Sequence, residues 1–317
     1  MQESAQTRNA QKQFIKRTNA TFLQFLGREE ALDRSSLREL VAAIKSAGEA
    51  RKLLLDCPYF IGKISPYDLS YIGQSLKYFR SLQVLNLRFP KSSEDPDIDL
   101  QHIGQCLKAL VSLQSLTFHI DAGYYTDIGL ESLSQGIQRL LLLKKLDLSF
   151  PFLYDVTDKG LHFISQGLKR LTCLEDVSLN FSDCSRITDI GLSHLSQSLR
   201  RLCLLKSFNL EMRYCSNITD EGLESLSKGL KSPISLEDFS LEMTRCQEVS
   251  DKGLNSLTEA LKKHVHLKKL RMNFQECVNI TDEAVRNLSE LLKTLSSLES
   301  SILMYRNVLW SQRKNSI

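Results

Sequence analysis

The sequence has no apolar run approaching the roughly 20 residues that a membrane-spanning helix needs. Its first residues, MQESAQTRNAQKQFIKR, hold no continuous apolar stretch of the kind a secretory signal carries. The expectation is a non-secreted chain, cytoplasmic or nuclear, with no membrane partner. Strong charge of one sign is also missing. The 41 lysines and arginines against 37 acids leave +4 over 317 residues, too little for nucleic-acid binding driven by a basic field. Eight cysteines are present, but none forms a C-x-x-C pair and none keeps metal-ligand spacing with histidine. Free thiols in a reducing compartment are the expectation. Neither G-x-G-x-x-G, a P-loop nor H-E-x-x-H occurs, so the reading is of a non-enzyme without a cofactor.

What the sequence does have is a period. The leucines that open each apolar alternation are Leu82, Leu113, Leu143, Leu174, Leu205, Leu236, Leu267 and Leu298, separated by 31 residues except for one step of 30. Cys184, Cys215, Cys246 and Cys277 keep the step of 31, and so do six aspartates from Asp127 to Asp282. The unit reads L-x-x-L-x-L-x-F-x-x-C-x-x-I-T-D-x-G-L-x-x-L-S-x-x-L-x-x-L. Its first part alternates like a strand with one buried face. Its second part spaces leucines by three and four, as in Leu192, Leu195, Leu199 and Leu202, which is one stripe of a helix. Between them Thr188-Asp189 or Thr219-Asp220 predicts a helix start, with threonine as cap and aspartate at the positive end of the dipole. An early unit does it differently, with Ser65-Pro66 offering a cap followed by proline at the first helical position. A single unit cannot bury its own stripe, so the units must stack.

The words Cys184-Ser185-Arg186-Ile187-Thr188-Asp189 and Cys215-Ser216-Asn217-Ile218-Thr219-Asp220 resemble the cysteine-containing and ribonuclease-inhibitor-like classes of leucine-rich repeats, over about residues 33 to 305. The resemblance implies an α/β solenoid, a horseshoe with parallel strands on the concave face and helices on the convex face. Residues 1–32 are read as an N-terminal segment, partly disordered or a short helix. Residues 33–305 form the solenoid, opened by a cap unit containing Leu37, Leu40, Ile44, Ala47, Ala50, Leu53 and Leu55. Residues 306–317 form a C-terminal cap or tail, with Val308-Leu309-Trp310 over the open end. A period of 31 exceeds the usual 20–29 and predicts longer strands and helices. The resemblance also implies a protein–protein interaction scaffold. Its alternatives are the substrate-recognition subunit of a ubiquitin-ligase complex or a GTPase-activating regulator. No F-box precedes the repeats, but Phe14-Ile15, Phe22-Leu23 and Phe25-Leu26 could supply a short helix for an adaptor. Arg88 is a candidate for acting on a GTPase.

Four repeated features compete for a functional role. The cysteine column is either a metal or redox site or a buried ladder of small apolar residues. Lys144, Glu175, Lys206, Glu237, Lys268 and Glu299 alternate in sign from unit to unit, which reads as a register device. Cations near the helix ends, such as Arg139, Arg170 and Arg200, read as a phosphate stripe or as complements to the helix dipole. The outward strand positions vary while the core stays constant, as a binding surface does. They include Arg88, His119, Asp147, Asn180, Glu211, Glu242, Arg271 and Asn273. Glu211 and Glu242 fall side by side, either for a basic partner or neutralised by Arg213 and Arg271. In the early turns Tyr124, Phe152 and Tyr154 replace polar residues, beside an acidic turn at residues 91–97, and suit either a binding edge or local packing.

Overall fold

The computed structural model describes residues 15–19, 22–26, 42, 50–56, 73–76, 79, 81–89, 96–120, 123–233, 235–305 and 308–313. Phe14, Leu37, Leu40, Ile44, Ala47, Ser65-Pro66 and the turn at 91–95 lie outside the described residues.

Strands open the units: β1 (Ile15–Asn19), β2 (Phe22–Leu26), β3 (Lys52–Asp56), β4 (Val84–Phe89), β5 (Ser115–Ile120), β6 (Lys145–Ser149), β7 (Asp176–Asn180), β8 (Ser207–Glu211), β9 (Asp238–Glu242), β10 (Lys269–Phe274), β11 (Ser300–Tyr305) and β12 (Val308–Arg313). Helices follow them: α1 (Pro96–Leu107), α2 (Asp127–Ile137), α3 (Asp158–Leu168), α4 (Asp189–Leu199), α5 (Asp220–Leu230), α6 (Asp251–Leu261) and α7 (Asp282–Thr294). The strands form one sheet in chain order, parallel from β2 to β11. This is a leucine-rich-repeat solenoid. Strands sit about 4.8 Å apart and packed helices 8–10 Å apart, so the stack curves with the sheet inside.

The register of the sheet is the period of the sequence. Asp176 pairs with Ser207, Ser207 with Asp238 and Asp238 with Lys269, each 31 residues on. Ser115 pairs with Lys145, which is where the single step of 30 falls. Inward strand residues such as Val177, Leu179, Phe208 and Leu210 are fully buried, and so are the helix leucines that meet them. Fully burying one such side chain is worth about 1.5–3 kcal/mol, and only the neighbouring coils supply the burial. The strands hold five or six residues and most helices eleven, no more than the average. The long period therefore does not lengthen these elements beyond the ordinary range of globular proteins.

The segment read as partly disordered or a short helix contributes β1 and β2 instead. β2 lies parallel to β3, with Phe22 opposite Lys52, and β1 returns antiparallel. An unpaired sheet edge offers a row of N–H and C=O groups, and an extended segment satisfies them where a helix would not. At the other end β12 runs antiparallel along β11.

The Thr-Asp pair does more than start a helix. Thr157, Thr188 and Thr219 each accept the N–H two residues on at 3.2 Å, as N-caps. The aspartate reaches into the next coil. Asp158 accepts hydrogen bonds from the Thr188 backbone N–H at 2.8 Å, the Thr188 hydroxyl at 2.7 Å and the Gly191 N–H at 2.9 Å. Asp127 does the same to Thr157 and Gly160, and Asp220 to Ser250 and Gly253. This explains the glycine of the motif: a Cβ on Gly191 would stand 2.7 Å from the Asp158 oxygen. The alternating strand-start charges also link coils. Glu175 lies between Lys206 at 2.8 Å and Lys144 at 3.7 Å, and Glu237 pairs with Lys268 at 2.6 Å. These pairs are exposed, so their main effect is register rather than stability.

One core position breaks the pattern. His264 is buried where other coils place Leu140, Leu171 and Leu202. Burial lowers its pKa below the ordinary value, because the charged ring is poorly solvated there. His194 is lowered as well, by partial burial first and then by His162, whose ring nitrogen is 3.2 Å away. In both cases the unfolded chain binds protons that the folded chain refuses. Stability therefore falls as pH drops below the unfolded histidine pKa of about 6.5. Urea midpoints measured between pH 8 and pH 5 should decline with acid, and His264→Leu should flatten that decline. An unchanged slope in the variant would remove His264 from the account.

Candidate binding surface

Two rows of side chains face outward along the inner sheet. One contains Asp147 and Arg271, and the other Arg88, His119, Ser149, Asn180, Glu211, Glu242 and Asn273 in successive strands. Much of their polar chemistry is internal. The Arg88 guanidinium hydrogen-bonds His119 Nδ1 at 3.1 Å. Asp147 lies 3.0 Å from His119 Nε2, out of line for a hydrogen bond. Asn180 accepts from the Ser182 N–H at 2.9 Å, which holds the turn after its strand.

Glu211 and Glu242 are direct neighbours. Arg213 lies across both, 3.2 Å from Glu211 and 3.8 Å from Glu242. Glu242 also accepts from Thr244 and, at 2.9 Å, from Asn273. Arg271 pairs with Asp238 at 3.5 Å rather than with either glutamate. The two carboxylates thus have their countercharge and their donors within the chain.

The cysteine column is a ladder. Each thiol is buried and donates to a backbone carbonyl of the preceding coil: Cys184 to Phe150 at 3.4 Å, Cys215 to Phe181 at 3.3 Å, and Cys246 and Cys277 to Met212 and Met243 at 3.1 Å. Burial pushes Cys215 up to about 12 and Cys277 up to about 11, and raises Cys184 and Cys246 by the same cause. Nucleophilic or redox chemistry needs a thiolate, and this environment suppresses it. The ring column beside it packs too, with Phe150 5.8 Å from Phe181 between centroids.

The turns after the strands are different. In the five turns after β6 to β10, one non-glycine residue takes the left-handed conformation: Phe152 at φ 62°, Asp183 at 62°, Tyr214 at 60°, Arg245 at 62° and Glu276 at 59°. The N–H of that residue donates to the next coil, as from Phe152 to Ser182 at 2.9 Å and from Tyr214 to Thr244 at 2.9 Å. The turn is thereby fixed and its side chain projects from the edge. Leu153 is buried, whereas Phe152, Tyr154 and Tyr124 are exposed. Ile128 and Ile190, at the second positions of α2 and α4, are exposed on the same side. Tyr214 belongs to this edge although the sequence reading did not single it out, and the step of 31 from Asp183 would have placed it. Arg245 stacks over its ring at 5.2 Å and is held by Glu276 at 2.6 Å.

No protein-family model matches the sequence, and no curated protein does. Among solved structures, the chain is similar to a chain in the crystal structure of the Rad7 and Elc1 complex in yeast, at 17% identity and a TM-score of 0.47, over 90% of this chain and 72% of that one.

Proposed function

We propose that this chain is a protein-binding repeat scaffold that engages its partner along the strand-to-helix turn edge, with the adjoining concave rows as a floor. The observation that carries this reading is the pair of aromatic residues held in left-handed turns, Phe152 and Tyr214. That conformation costs an L-residue roughly 1–2 kcal/mol, and glycine would avoid the cost. The Tyr214 ring carries Arg245 on one face, and both rings are still exposed at the edge. Tyr124 and Tyr154 extend the apolar edge over neighbouring coils, and exposed aromatics are the residues that dominate binding energy at protein interfaces. The words shared by the cysteine-containing units support assigning the repeats to the ribonuclease-inhibitor-like class, with residues 33–305 as the working unit.

The test compares proteins retained from cell lysate by the immobilised full chain and by a Phe152→Ser, Tyr154→Ser double variant. The variant should lose a specific partner by about tenfold or more, as expected for two hot-spot side chains. An outer-helix change, Lys228→Glu, should retain it. Equal retention by all three proteins would end the assignment of the turn edge.

A further inference from the structure

The opposite flank, where helices return to the strands, is chemically distinct. Six segments join a helix end to the next opening leucine: residues 108–112, 138–142, 169–173, 200–204, 231–235 and 262–266. Together they hold nine lysines and arginines and no acid, in a chain whose net charge is only +4. Positive charge is therefore gathered on one side of the stack. Cations at helix ends usually complement the terminal carbonyls. Here Lys169 bonds the Gln197 side chain at 3.3 Å and Lys262 pairs with Glu259. The other seven, Arg139, Arg170, Arg200 and Arg201 among them, make no hydrogen bond or ion pair among the described residues.

Beside these cations stand exposed aliphatic side chains. Val111, Leu141, Leu142, Leu204 and Val265 are 52–56% exposed. Other coils place Ser112, Thr172 or Ser296 in the same slots, so the fold does not need a leucine there. The coils are locked together next to this flank: Lys144 N–H donates to Gln114, Glu175 N–H to Lys144 and Lys206 N–H to Glu175, each at 2.8 Å. Cations and aliphatics thus form adjacent columns across successive coils, a surface extended in two directions.

We propose that this flank docks on an anionic phospholipid bilayer surface. The aliphatic side chains enter the interfacial layer, and the guanidinium and ammonium groups meet the lipid phosphates and carboxylates. Charge complementarity selects an anionic target, and the leucines argue against a purely polar one such as a nucleic-acid backbone. An acidic helix from a partner would need a continuous apolar seam, whereas Ser112 and Thr172 interrupt these columns. Separate side chains entering a fluid layer need no seam. No described helix is long and apolar enough to cross a membrane, and surface docking requires none. The turn edge, on the far side of the strands, would face away from the bilayer.

The experiment is co-sedimentation of the full chain with vesicles of about 30% phosphatidylserine in phosphatidylcholine, and with phosphatidylcholine alone, at about 0.1 M salt. Binding should require phosphatidylserine. Arg200→Glu with Arg201→Glu, and separately Leu141→Ser with Leu204→Ser, should each weaken it about tenfold or more. All four positions are exposed, so circular dichroism and the thermal midpoint should stay native, and Lys228→Glu should bind as the unaltered chain does. Absence of binding to the anionic vesicles overturns the proposal. Binding that survives the leucine variant also overturns it, because the contact is then one of charge alone.

Discussion

Asp158→Ala should destabilise the coils on either side of it by about 3–4 kcal/mol, among the largest effects of any non-core substitution here. The carboxylate accepts three hydrogen bonds from the next coil, all at 2.7–2.9 Å and partly buried. Its removal strands the Thr188 backbone N–H, leaves the Thr188 hydroxyl without its acceptor and leaves the Gly191 N–H only its bond to the Thr188 carbonyl at 3.1 Å. Asp158→Asn keeps one carbonyl oxygen facing both N–H groups and should cost about half as much. Gly191→Ala attacks the same clamp from the other side, since its Cβ would stand 2.7 Å from the carboxylate oxygen and 3.0 Å from Ile187. The combined Asp158→Ala, Gly191→Ala chain should therefore lose less than the sum of the single losses, as residues sharing one contact do. Stacked repeats can open locally, so hydrogen exchange in α3 and α4 is the proper readout beside a urea midpoint. Additive losses, or full protection of α4 in Asp158→Ala, would show that the coils are held by leucine packing alone.

The ladder thiols of Cys184, Cys215 and Cys246 should resist alkylation by about a thousandfold or more in the native state. A thiol near pKa 8.5 is about one quarter ionised at pH 8, whereas one near 12 is ionised to about one part in ten thousand. Cys215 is pushed up to about 12 by burial. Reagent access adds a second barrier, because the sulfur is reached only when the coil opens. Iodoacetamide followed by peptide mass spectrometry should modify exposed Cys203 first and leave Cys184, Cys215 and Cys246 untouched until denaturant is added. Native labelling of Cys215 within tenfold of the Cys203 rate would mean that the turn edge opens far more readily than its hydrogen bonds indicate.

The solenoid was legible because its restraints repeat. The leucine step of 31 matches the strand register from β6 onward, and even the single step of 30 between Leu113 and Leu143 reappears as Ser115 opposite Lys145. Alternating charges at Lys144, Glu175 and Lys206 predicted their own pairing for the same reason. The aspartate clamp was misread because a helix-dipole role at its own N-terminus already accounts for the residue. Only the direction of the side chain reveals the neighbouring coil. Adjacent glutamates at 211 and 242 were visible in the sequence, but whether Arg213 or Arg271 answers them depends on side-chain reach. The structure selects Arg213. The strands β1 and β2 carry no repeat consensus, so nothing in their residues forecast that they would extend the sheet. Exposed leucines at 141 and 142 were hidden inside an apolar run that reads as core.

The clamp also has a direction. Every aspartate reaches forward, from an earlier coil to a later one, and the last, Asp282, receives the Tyr305 hydroxyl at 3.2 Å instead of another threonine. A ribosome delivers the chain in that same order. Each coil emerging during synthesis meets a carboxylate already set in place by its predecessor, so the stack can grow from its first turns outward without waiting for its far end.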